Sequence, residues 1–549
     1  MKSRSLLSKI INYKWFVHIV LLITVVLSVF LVTYKDTSSP PCFNADEAAF
    51  GYNAYSLLQT GADEYGTMLP LRLKSFDDYK MPLYSYLSTP FIGVLGLNEF
   101  STRALNIFIA GLFPIVIYFL TKELFKKKEI GLISAVLITF CLGKGIMARE
   151  AHEALLAVFL ITLASYFFLK FLNSLQFRYG IFFIFSLFFA LFSYQSSRLF
   201  AVLFFILAII YLLFKKVKVK SKNTFLIFFV IALLLFGITD VLYKPARVQN
   251  LFLTSTPGFA MEVQQYINEG GNRIFYNKVT IGLHEVLNQY MLYFSPQFLA
   301  ENGDMNPRFG FVGMSPITPL EYLFLFIGLY YLFKNKEKWR YYILALLLIS
   351  PLTAALSWQE ISLTRPFFLL IPLLIISAYG FYYLLDAFKY SKLKIVFITL
   401  LICIEGVFLL YSWGFYLNHY PKRGIVTRSW QCGYKELASF IQNNYTKYDT
   451  FYVTQKNGQP YIFMLFYLQY PPKKYQQQAS LSAPDEFGFG QVEKFDKFNF
   501  SFPPQHINDK KTVFIGYPDD FLQVPQLDKS KMRKITINKQ DIFWIYTND

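Results

Sequence analysis

Residues 42–61 read CFNADEAAFGYNAYSLLQTG, and residues 75–90 read SFDDYKMPLYSYLSTP. Both lie between the first strongly apolar segment of the chain and the second. The stretch that contains them, Cys42–Pro90, places several carboxylates and Lys80 next to a predicted membrane span. We expect the rest of the chain to be organised around this outer segment.

A helix is predicted to begin within this stretch. Asn44 with Glu47 three residues later is the pattern of a capping box. The helix should run to about Gln59, with Gly61 as a left-handed residue just past its end. Asp46 then falls in the first turn, where the chain has just left the bilayer.

The two acids of this first turn have a structural and a chemical interpretation. Both suit the positive end of the helix dipole. For Glu47 this structural interpretation is favoured. For Asp46 a functional role is favoured, because basic and aromatic residues follow it in the same stretch.

The composition indicates an integral membrane protein. Hydrophobic residues make up 54% of the 549 residues, aromatic residues make up 19%, and the mean hydropathy is +0.36. The apolar residues are clustered in runs of about 18 or more, which is the signature of transmembrane helices. The net charge of +18 does not indicate nucleic-acid binding, because the lysines occur in short tracts between these runs.

Eleven spans are predicted, and the charge bias between their connections orients them. The segments assigned to the cytoplasm hold 22 Lys and Arg, and the short outer turns hold 4. This bias predicts a cytoplasmic N-terminus and an extracytoplasmic C-terminus. The first run lacks a convincing small-residue cleavage site, so we interpret it as a retained span. The spans are 15–34, 103–121, 130–147, 154–173, 180–195, 198–214, 224–242, 318–333, 341–357, 366–386 and 395–413.

The last part of the chain is a polar tail with a helix-like segment followed by strand-like segments. The fold class is therefore predicted as an α-helical polytopic membrane protein with an extracytoplasmic α/β domain. The predicted domains are 1–413, with outer loops 35–100 and 243–317, and 414–549.

The four cysteines divide by location. Cys141 and Cys403 lie inside apolar runs and are expected to be small core residues. Cys42 and Cys432 both fall outside the cytoplasm in this layout, so a disulfide between them is possible, although the sequence does not supply its geometry.

Charged side chains collect at the outer ends of the spans. A carboxylate there can act as a general base, and cations can stabilise charge that develops on a departing phosphate. The combination predicts transfer of an activated group from a lipid phosphate to a hydroxyl or similar acceptor. The carboxylates are Asp46, Glu47, Asp77, Asp78 and Glu153, and the cations are Lys80, Arg149, Arg308 and Arg365.

The basic candidates also have simpler interpretations. Lys80 can extend to the membrane interface, and Arg308 can stabilise its glycine-rich turn. Arg149 and Glu153 are spaced like a helical ion pair. Arg365 before a proline can be a helix-start charge at the headgroups.

Two further residues stay open between function and structure. His152 is more often an interfacial histidine than a metal ligand, and with one nearby acid it does not predict a metal site. Glu405 lies within a span, where an acid is either functional or a satisfied polar contact.

Four segments of the chain resemble a known family. They read FNADEAAFGYNAYSLLQTGADEYG, SFDDYKMPLYSYLSTPFIGVLGLNEFSTRALN, FSPQFLAENGDMNPRFGFVGMSPITPLEYL and NGQPYIFMLFYLQYPPKKYQ. They resemble the bacterial GT-C glycosyltransferases of the protein O-mannosyltransferase and aminoarabinose-transferase-like group. The Asp-Glu pair after the first span is the most specific part of the resemblance.

The resemblance implies roles for residues of the first outer loop. Asp46 matches the acid proposed as catalytic base, with Glu47 as its neighbour. Lys80 resembles the lysine that binds the lipid-linked phosphate in aminoarabinose transferases. There an acidic residue precedes the lysine and a proline follows it directly, whereas here Tyr79 precedes and Met81 intervenes.

The resemblance further implies an Arg-plus-acid pattern in the second outer loop, matched by Arg149 with Glu153. It implies polyprenyl-phosphate sugars as donors and inversion at the anomeric carbon. No cofactor is implied with certainty, because some relatives bind a divalent metal and others do not.

We therefore predict a multi-pass glycosyltransferase of the plasma (inner) membrane. Its partners would be a polyprenyl-phosphate sugar, membrane lipids and a glycan, lipid or protein acceptor, but no nucleic acid. The alternatives are a lipid-linked-sugar flippase or other transporter and a non-catalytic cell-envelope assembly component. The predicted site has Asp46 and Glu47 as catalytic residues, Lys80, Arg149, Arg365 and Arg308 as donor-phosphate-binding residues, and Asp78, Glu153 and His152 as supporting residues.

Overall fold

A computed structural model provides the architecture of the chain. It describes residues 15–76, 78–214, 256–357, 361–387, 391–482, 492–525, 527, 530 and 532–548, with scattered positions between 227 and 242. Asp77 lies outside the described residues, and for Asp78 only the backbone is described.

The chain divides into two compact units. The first unit comprises Met1–Tyr34, Asn106–Val241 and Gln249–Tyr416. The second comprises Lys35–Leu105, Leu242–Val248 and Leu417–Asp549. The second unit thus groups the first outer loop with the polar tail. The domain boundaries predicted from the sequence, which keep that loop with the spans, stay a prediction.

The first unit consists of helices, most of them apolar. The long helix Glu99–Phe125 (α4) begins in the second unit, and the helix Ser391–Asn418 (α16) ends there. A π-helical turn, Gln297–Asn302, and a 3₁₀ turn, Phe367–Leu369, lie between helices. The helices are α1 Phe16–Thr33, α4 Glu99–Phe125, α5 Lys128–Phe140, α6 Leu142–Ala148, α7 Glu153–Ser174, α8 Phe177–Leu191, α9 Gln195–Phe214, α10 Pro257–Glu269, α11 Lys278–Leu292, α12 Pro319–Lys334, α13 Arg340–Ile349, α14 Leu352–Ala355, α15 Leu370–Ala387 and α16 Ser391–Asn418.

The predicted spans coincide with helices, but their number differs. Among the described residues, six helices are long and apolar enough to cross a membrane, and seven if the pair α5 and α6 is one bent span. The predicted count of eleven is not confirmed. Nine of the nineteen residues of predicted span 224–242 lie outside the described residues.

Two glycines allow α12 and α15 to approach closely. A Cβ added at Gly328 would lie 2.1 Å from the carbonyl oxygen of Ile376, and one at Gly380 would lie 2.2 Å from that of Phe324. Small residues at such contacts let apolar helices pack backbone against backbone.

The second unit combines the first outer loop with an α/β tail. The loop contains α2 Ala45–Thr60, a hairpin of β1 Leu73–Ser75 and β2 Asp78–Lys80, and α3 Leu83–Leu95. Leu73 pairs with Lys80 across the antiparallel hairpin. The tail elements are α17 Gly424–Ser429, α18 Tyr434–Asn444, β3 Thr450–Val453, α19 Pro460–Tyr467, α20 Pro472–Gln478, β4 Ser480–Leu481, β5 Val492–Phe495, β6 Phe498–Asn499, β7 Thr512–Gly516, β8 Arg533–Ile537 and β9 Gln540–Asn548.

The tail strands form one mixed sheet, so the predicted α/β character of this region is confirmed. The strand order is β4-β5-β6-β3-β7-β9-β8. The central strand β3 is parallel to both neighbours, while β9 pairs antiparallel with β7 and β8. β7 is buried along its whole length, as expected for a central strand.

The loop and the tail share one hydrophobic core within the second unit. Phe43 packs on Phe466 with ring centroids 4.7 Å apart. Gly51 in α2 also faces the Phe466 ring, where an added Cβ would come within 2.7 Å. Cys42 and Cys432 form a disulfide with Cα atoms 5.3 Å apart, so the pairing left open by the sequence is present.

Candidate functional site

Asp46 and Lys80 form an ion pair in the second unit. Lys80 Nζ donates to Asp46 Oδ1 at 2.8 Å. The predicted capping box is present, since Asn44 accepts from the Glu47 N–H and Glu47 accepts from the Asn44 N–H. It starts α2 at Ala45 and thereby places Asp46 in the first turn. The pair thus joins the start of α2 to the last residue of β2.

The two partners differ in exposure. The Lys80 side chain is 6% exposed, whereas that of Asp46 is 40% exposed. The Lys80 ammonium lies 4.3 Å from the Phe76 ring centroid and 5.1 Å from that of Phe50. Aromatic faces attract a desolvated cation. The ammonium is therefore held in place, and the carboxylate is the accessible member of the pair.

Glu47 forms a buried bidentate ion pair with Arg103. Arg103 Nε donates to Oε1 at 2.7 Å and Nη2 donates to Oε2 at 2.8 Å. The side chains are 0% and 5% exposed for Glu47 and Arg103. Arg103 also donates to the carbonyl oxygens of Asp36 and Cys42. This arrangement favours the structural interpretation of Glu47, and its catalytic role stays a prediction.

A second carboxylate, Glu64, is buried in the same unit. Its Oε2 accepts from Asn53 Nδ2 at 2.9 Å and its Oε1 accepts from Tyr461 OH at 2.8 Å. Burial raises the pKa of Glu64 to about 8, while Lys80 opposes that rise through its charge. Glu64 is therefore within electrostatic reach of the lysine of the ion pair.

Arg149, in the first unit, holds the end of α1. It donates from Nη1 to the carbonyl oxygen of Leu31 at 2.7 Å and from Nη2 to that of Tyr34 at 2.8 Å. The carbonyls at a helix C-terminus lack intrahelical partners and carry partial negative charge. Arg149 is the C-cap residue that follows α6, and Glu153 starts α7, so the two do not form the pair within one helix that their spacing suggested.

Three more candidates of the first unit lie at, or contact, the turn between α6 and α7. Arg308 Nη2 donates to Glu150 Oε1 at 2.6 Å, and Glu150 is 1% exposed. His152 caps α7, since its Nδ1 accepts from the Ala154 N–H at 3.0 Å. Glu153 Oε2 lies 3.7 Å from the same nitrogen.

Arg365 borders a small cavity in the first unit. The cavity measures about 20 Å³, which is room for a water molecule. Its lining contains both hydroxyl-bearing and apolar side chains. Burial raises the pKa of the nearby Asp304 to about 6, while hydrogen bonds and the Arg365 charge hold that rise in check. The lining residues are Ala154, Ala157, Val158, Ile161, Tyr194, Ser196, Ser197, Phe200, Ser350, Thr353, Thr364, Arg365 and Phe368.

Of the predicted site residues, the structure brings Asp46 and Lys80 together within the second unit. The three arginines of the prediction lie in the first unit. Arg149 binds a carbonyl oxygen of α1, and Arg308 binds Glu150. Arg365 borders the small cavity. The prediction that all these groups share one pocket stays a prediction. The supporting role of Asp78 also stays one, because its side chain lies outside the described residues.

The sequence patterns did not single out the partners of these residues. Arg103, Glu64, Glu150 and Asp304 are all buried polar groups that only packing reveals. Two signals were nevertheless present. The Asp-Glu pair at 46–47 recurs as Asp-Glu at 63–64, and Glu150 directly follows Arg149.

The described part of the chain contains no group of three or more His, Cys, Asp or Glu side chains placed to hold a metal ion. In the first outer loop, the cation beside the candidate carboxylate is the Lys80 ammonium. The carboxylate of this pair can accept a proton, and its ammonium can stabilise negative charge.

The comparisons with known proteins agree with this architecture. The family model described as dolichyl-phosphate-mannose-protein mannosyltransferase matches residues 79–239. ArnT from Cupriavidus metallidurans in the apo state aligns over 96% of this chain and 97% of its own, with a TM-score of 0.57 and 11% identity. The same protein bound to undecaprenyl phosphate gives a TM-score of 0.56 at 9% identity, over 97% and 98% of the two chains.

A third solved structure aligns with this chain over a smaller share of both proteins. The Archaeoglobus fulgidus oligosaccharyltransferase with a tethered acceptor peptide gives a TM-score of 0.50 at 13% identity. The match covers 82% of this chain but spans only 63% of the oligosaccharyltransferase. No curated protein matches the chain significantly.

The class of fold follows from these observations. The chain has an ArnT-like fold, with apolar helices and an α/β tail, and its residues 79–239 match the mannosyltransferase family model. The similarity to this group that four segments of the sequence predicted is thereby confirmed.

Proposed function

We propose that this chain is a membrane glycosyltransferase that moves a sugar from a polyprenyl-phosphate donor to an extracytoplasmic acceptor. The observation that carries the proposal is the Asp46–Lys80 pair at the start of α2. It combines an accessible carboxylate with a desolvated cation in the loop after the first apolar helix. The similarity to ArnT, which has been solved with undecaprenyl phosphate, supports the class of donor.

The reaction is a single displacement at the anomeric carbon. Asp46 accepts the proton of the acceptor hydroxyl as its oxygen bonds to that carbon. The bond from the anomeric carbon to the phosphate oxygen breaks, and its electron pair leaves with the polyprenyl phosphate. Lys80 stabilises the charge on this leaving group. The configuration at the anomeric carbon inverts.

The ion pair also suggests how donor binding prepares the base. A donor phosphate beside Lys80 competes with Asp46 for the ammonium. Asp46 then loses its 2.8 Å contact with Lys80 and accepts a hydrogen bond from the acceptor hydroxyl. Because the Lys80 ammonium contacts the Phe50 and Phe76 rings, it need not move far in this exchange.

The other cations receive distinct proposed roles. Arg365, which borders the hydroxyl-lined cavity, is proposed to contact the donor phosphate. Arg149 and Arg308 are proposed to support the turn between α6 and α7, since they bind α1 carbonyls and Glu150. His152 and Glu153 would help to form the same turn.

The proposed location is the plasma membrane, with the N-terminus in the cytoplasm and the second unit outside. The charge bias between the apolar segments supports this orientation. The Cys42–Cys432 disulfide supports an oxidising compartment for the second unit.

The test uses purified full-length protein in lipid nanodiscs. It is incubated with radiolabelled undecaprenyl-phosphate mannose, glucose or galactose and an envelope fraction from its own cells as acceptor. We expect release of undecaprenyl phosphate and labelling of the fraction, both reduced about 10²- to 10⁴-fold by Asp46→Asn. Asp519→Asn is the matched control, because Asp519 also pairs with a lysine, Lys456, but on the tail surface.

Two outcomes would overturn the proposal. A folded Asp46→Asn protein with full transfer activity would exclude Asp46 as the base. In sealed vesicles, passage of the donor across the membrane without sugar transfer would instead identify a transporter.

A further inference from the structure

The buried carboxylate Glu64 is connected to the Lys80 site through Tyr461. The Tyr461 OH donates to Glu64 Oε1 at 2.8 Å and accepts from the Phe76 N–H at 3.3 Å. The Phe76 ring in turn lies 4.3 Å from the Lys80 ammonium. The four residues form a continuous chain of contacts from the loop after α2, through the tail helix α19, to the end of the β hairpin.

Glu64 and Tyr461 are both fixed by packing and hydrogen bonds. Glu64 is 0% exposed, and its backbone N–H donates to Asn53 Oδ1 at 3.0 Å, while Asn53 Nδ2 returns a hydrogen bond to Oε2. The Tyr461 ring is 1% exposed and packs edge-on against Phe76 with centroids 6.1 Å apart. A change in charge at Glu64 therefore acts on Lys80 within a desolvated setting, where electrostatic interactions are strong.

We propose that Glu64 is a positioning residue for Lys80, and that its proton controls how strongly the site binds the phosphate of a lipid-linked donor. The inference rests on the proposed function, since it takes that phosphate as the ligand of Lys80. When Glu64 is neutral, Asp46, Lys80 and Glu64 together carry no net charge. When Glu64 is ionised, these three side chains together carry one negative charge and repel a phosphate.

The direction of the pH effect follows from the surroundings of Glu64. Burial raises its pKa to about 8, so the carboxyl is protonated at neutral pH and ionises as the pH rises. Phosphate binding should therefore weaken between pH 7 and pH 9. A phosphate monoester has its second pKa near 6, so its own charge changes little across this window. The charged and titratable groups that act on Glu64 or respond to it are Asp63, Lys80, Tyr52, Tyr461 and Tyr475.

The test compares Glu64→Gln with the wild-type protein between pH 7 and pH 9. Binding of undecaprenyl phosphate to nanodisc-embedded protein is measured together with KM and kcat for the sugar donor. We expect the wild-type affinity to fall about tenfold over this window, which corresponds to about 1.4 kcal/mol. Glu64→Gln, which mimics the protonated acid, should keep the pH 7 affinity throughout.

Glu99→Gln is the matched control. Glu99 Oε1 also accepts from a tyrosine, Tyr467 OH, at 2.8 Å in the same unit. Its cationic partner is Lys435, whose Nζ lies 3.2 Å from the same oxygen, and not the lysine of the proposed site. We expect Glu99→Gln to keep the wild-type pH profile.

Tyr461→Phe tests the connection itself. It keeps the ring beside Phe76 but removes the hydroxyl that joins Phe76 to Glu64. We expect KM for the donor to rise several-fold at pH 7, with kcat changed less, because the defect lies in the placement of Lys80. An unchanged KM would show that ring packing alone positions the lysine and would overturn the connection.

The failure of this inference is distinguishable from failure of the proposed function. If Glu64→Gln binds undecaprenyl phosphate with the wild-type pH dependence while transfer proceeds, the role of Glu64 is excluded and the glycosyltransferase stands. If no donor is consumed but Glu64→Gln alone abolishes the pH dependence of phosphate binding, the role of Glu64 stands and the transfer proposal fails.

Discussion

Arg103 binds both carboxylate oxygens of Glu47, at 2.7 and 2.8 Å, and both side chains are almost completely buried. The pair ties the start of α2 to the first turns of α4. Because Asp46 precedes Glu47, the ion pair also fixes the backbone that carries the proposed base. The ion pair therefore holds in place the segment that carries the proposed base.

This finding predicts a stability defect in Glu47 variants. Glu47→Gln leaves the Arg103 guanidinium buried without its carboxylate, and such single removals lower the free energy of unfolding by about 3–5 kcal/mol. Thermal unfolding in detergent would measure the effect. Asp519→Asn, which breaks an exposed ion pair, should leave the melting temperature unchanged. A Glu47→Gln protein with wild-type Tm but no transfer would instead indicate a direct catalytic role.

The Lys80 position predicts a defect in donor use. Lys80→Met keeps the aliphatic stem between Phe50 and Phe76 but removes the ammonium. The loss of charge stabilisation on the leaving phosphate should reduce kcat/KM about 10²- to 10³-fold. Steady-state kinetics with the undecaprenyl-phosphate sugar would measure it. Lys456→Met removes the cation of the surface pair and should leave the kinetics unchanged; equal losses in both variants would contradict a special role for Lys80.

The raised pKa of Glu64 predicts that the free energy of unfolding depends on pH. Its pKa is about 8 in the folded protein and 4.5 in the unfolded chain, so the folded state holds a proton that the unfolded state releases in this window. Raising the pH from about 5 to 8 should therefore lower the free energy of unfolding. Glu64→Gln should flatten the Tm profile in this range. A wild-type profile as flat as that of the variant would contradict the raised pKa.

The position of Arg365 beside the cavity predicts that replacing this arginine weakens phosphate binding, whereas replacing a neighbouring arginine does not. Arg365→Gln should weaken undecaprenyl phosphate binding about tenfold, because a charge-assisted hydrogen bond to the phosphate is lost. Arg198→Gln is the control, since Arg198 belongs to the neighbouring helix start and donates to Gln195. Equal affinities for the wild type and Arg365→Gln would remove Arg365 from the phosphate site.

The disulfide predicts sensitivity to reductant. Removal of the Cys42–Cys432 bond, which joins residues 390 positions apart, should lower the free energy of unfolding by about 2–5 kcal/mol. The wild-type Tm should fall in the presence of a membrane-permeable reductant. The double variant Cys42→Ser, Cys432→Ser should have the lower Tm already and should not respond. A reductant response in that variant would point to another cause.

Local patterns in the chain were sufficient for much of the architecture. The capping box at Asn44 and Glu47 and the left-handed Gly61 delimit α2 as predicted, because these features depend on backbone groups only a few residues apart. Apolar helices occupy the predicted spans outside 224–242, since their lengths follow from composition. Composition does not fix the number of spans, because helices such as Phe177–Leu191 are too short to be assigned as spans by length alone.

The partners of the charged residues were decided by packing between distant segments. Glu47 pairs with Arg103, 56 positions away, and Glu64 bonds to Tyr461, 397 positions away. Neither partner has a fixed spacing that a pattern could show, and burial of an acid depends on what covers it. The linear chain thus specified the helices, the membrane class and the acid at the start of α2. Its folding specified which acid is accessible and which two are enclosed, because desolvation and charge pairing arise only where remote segments meet.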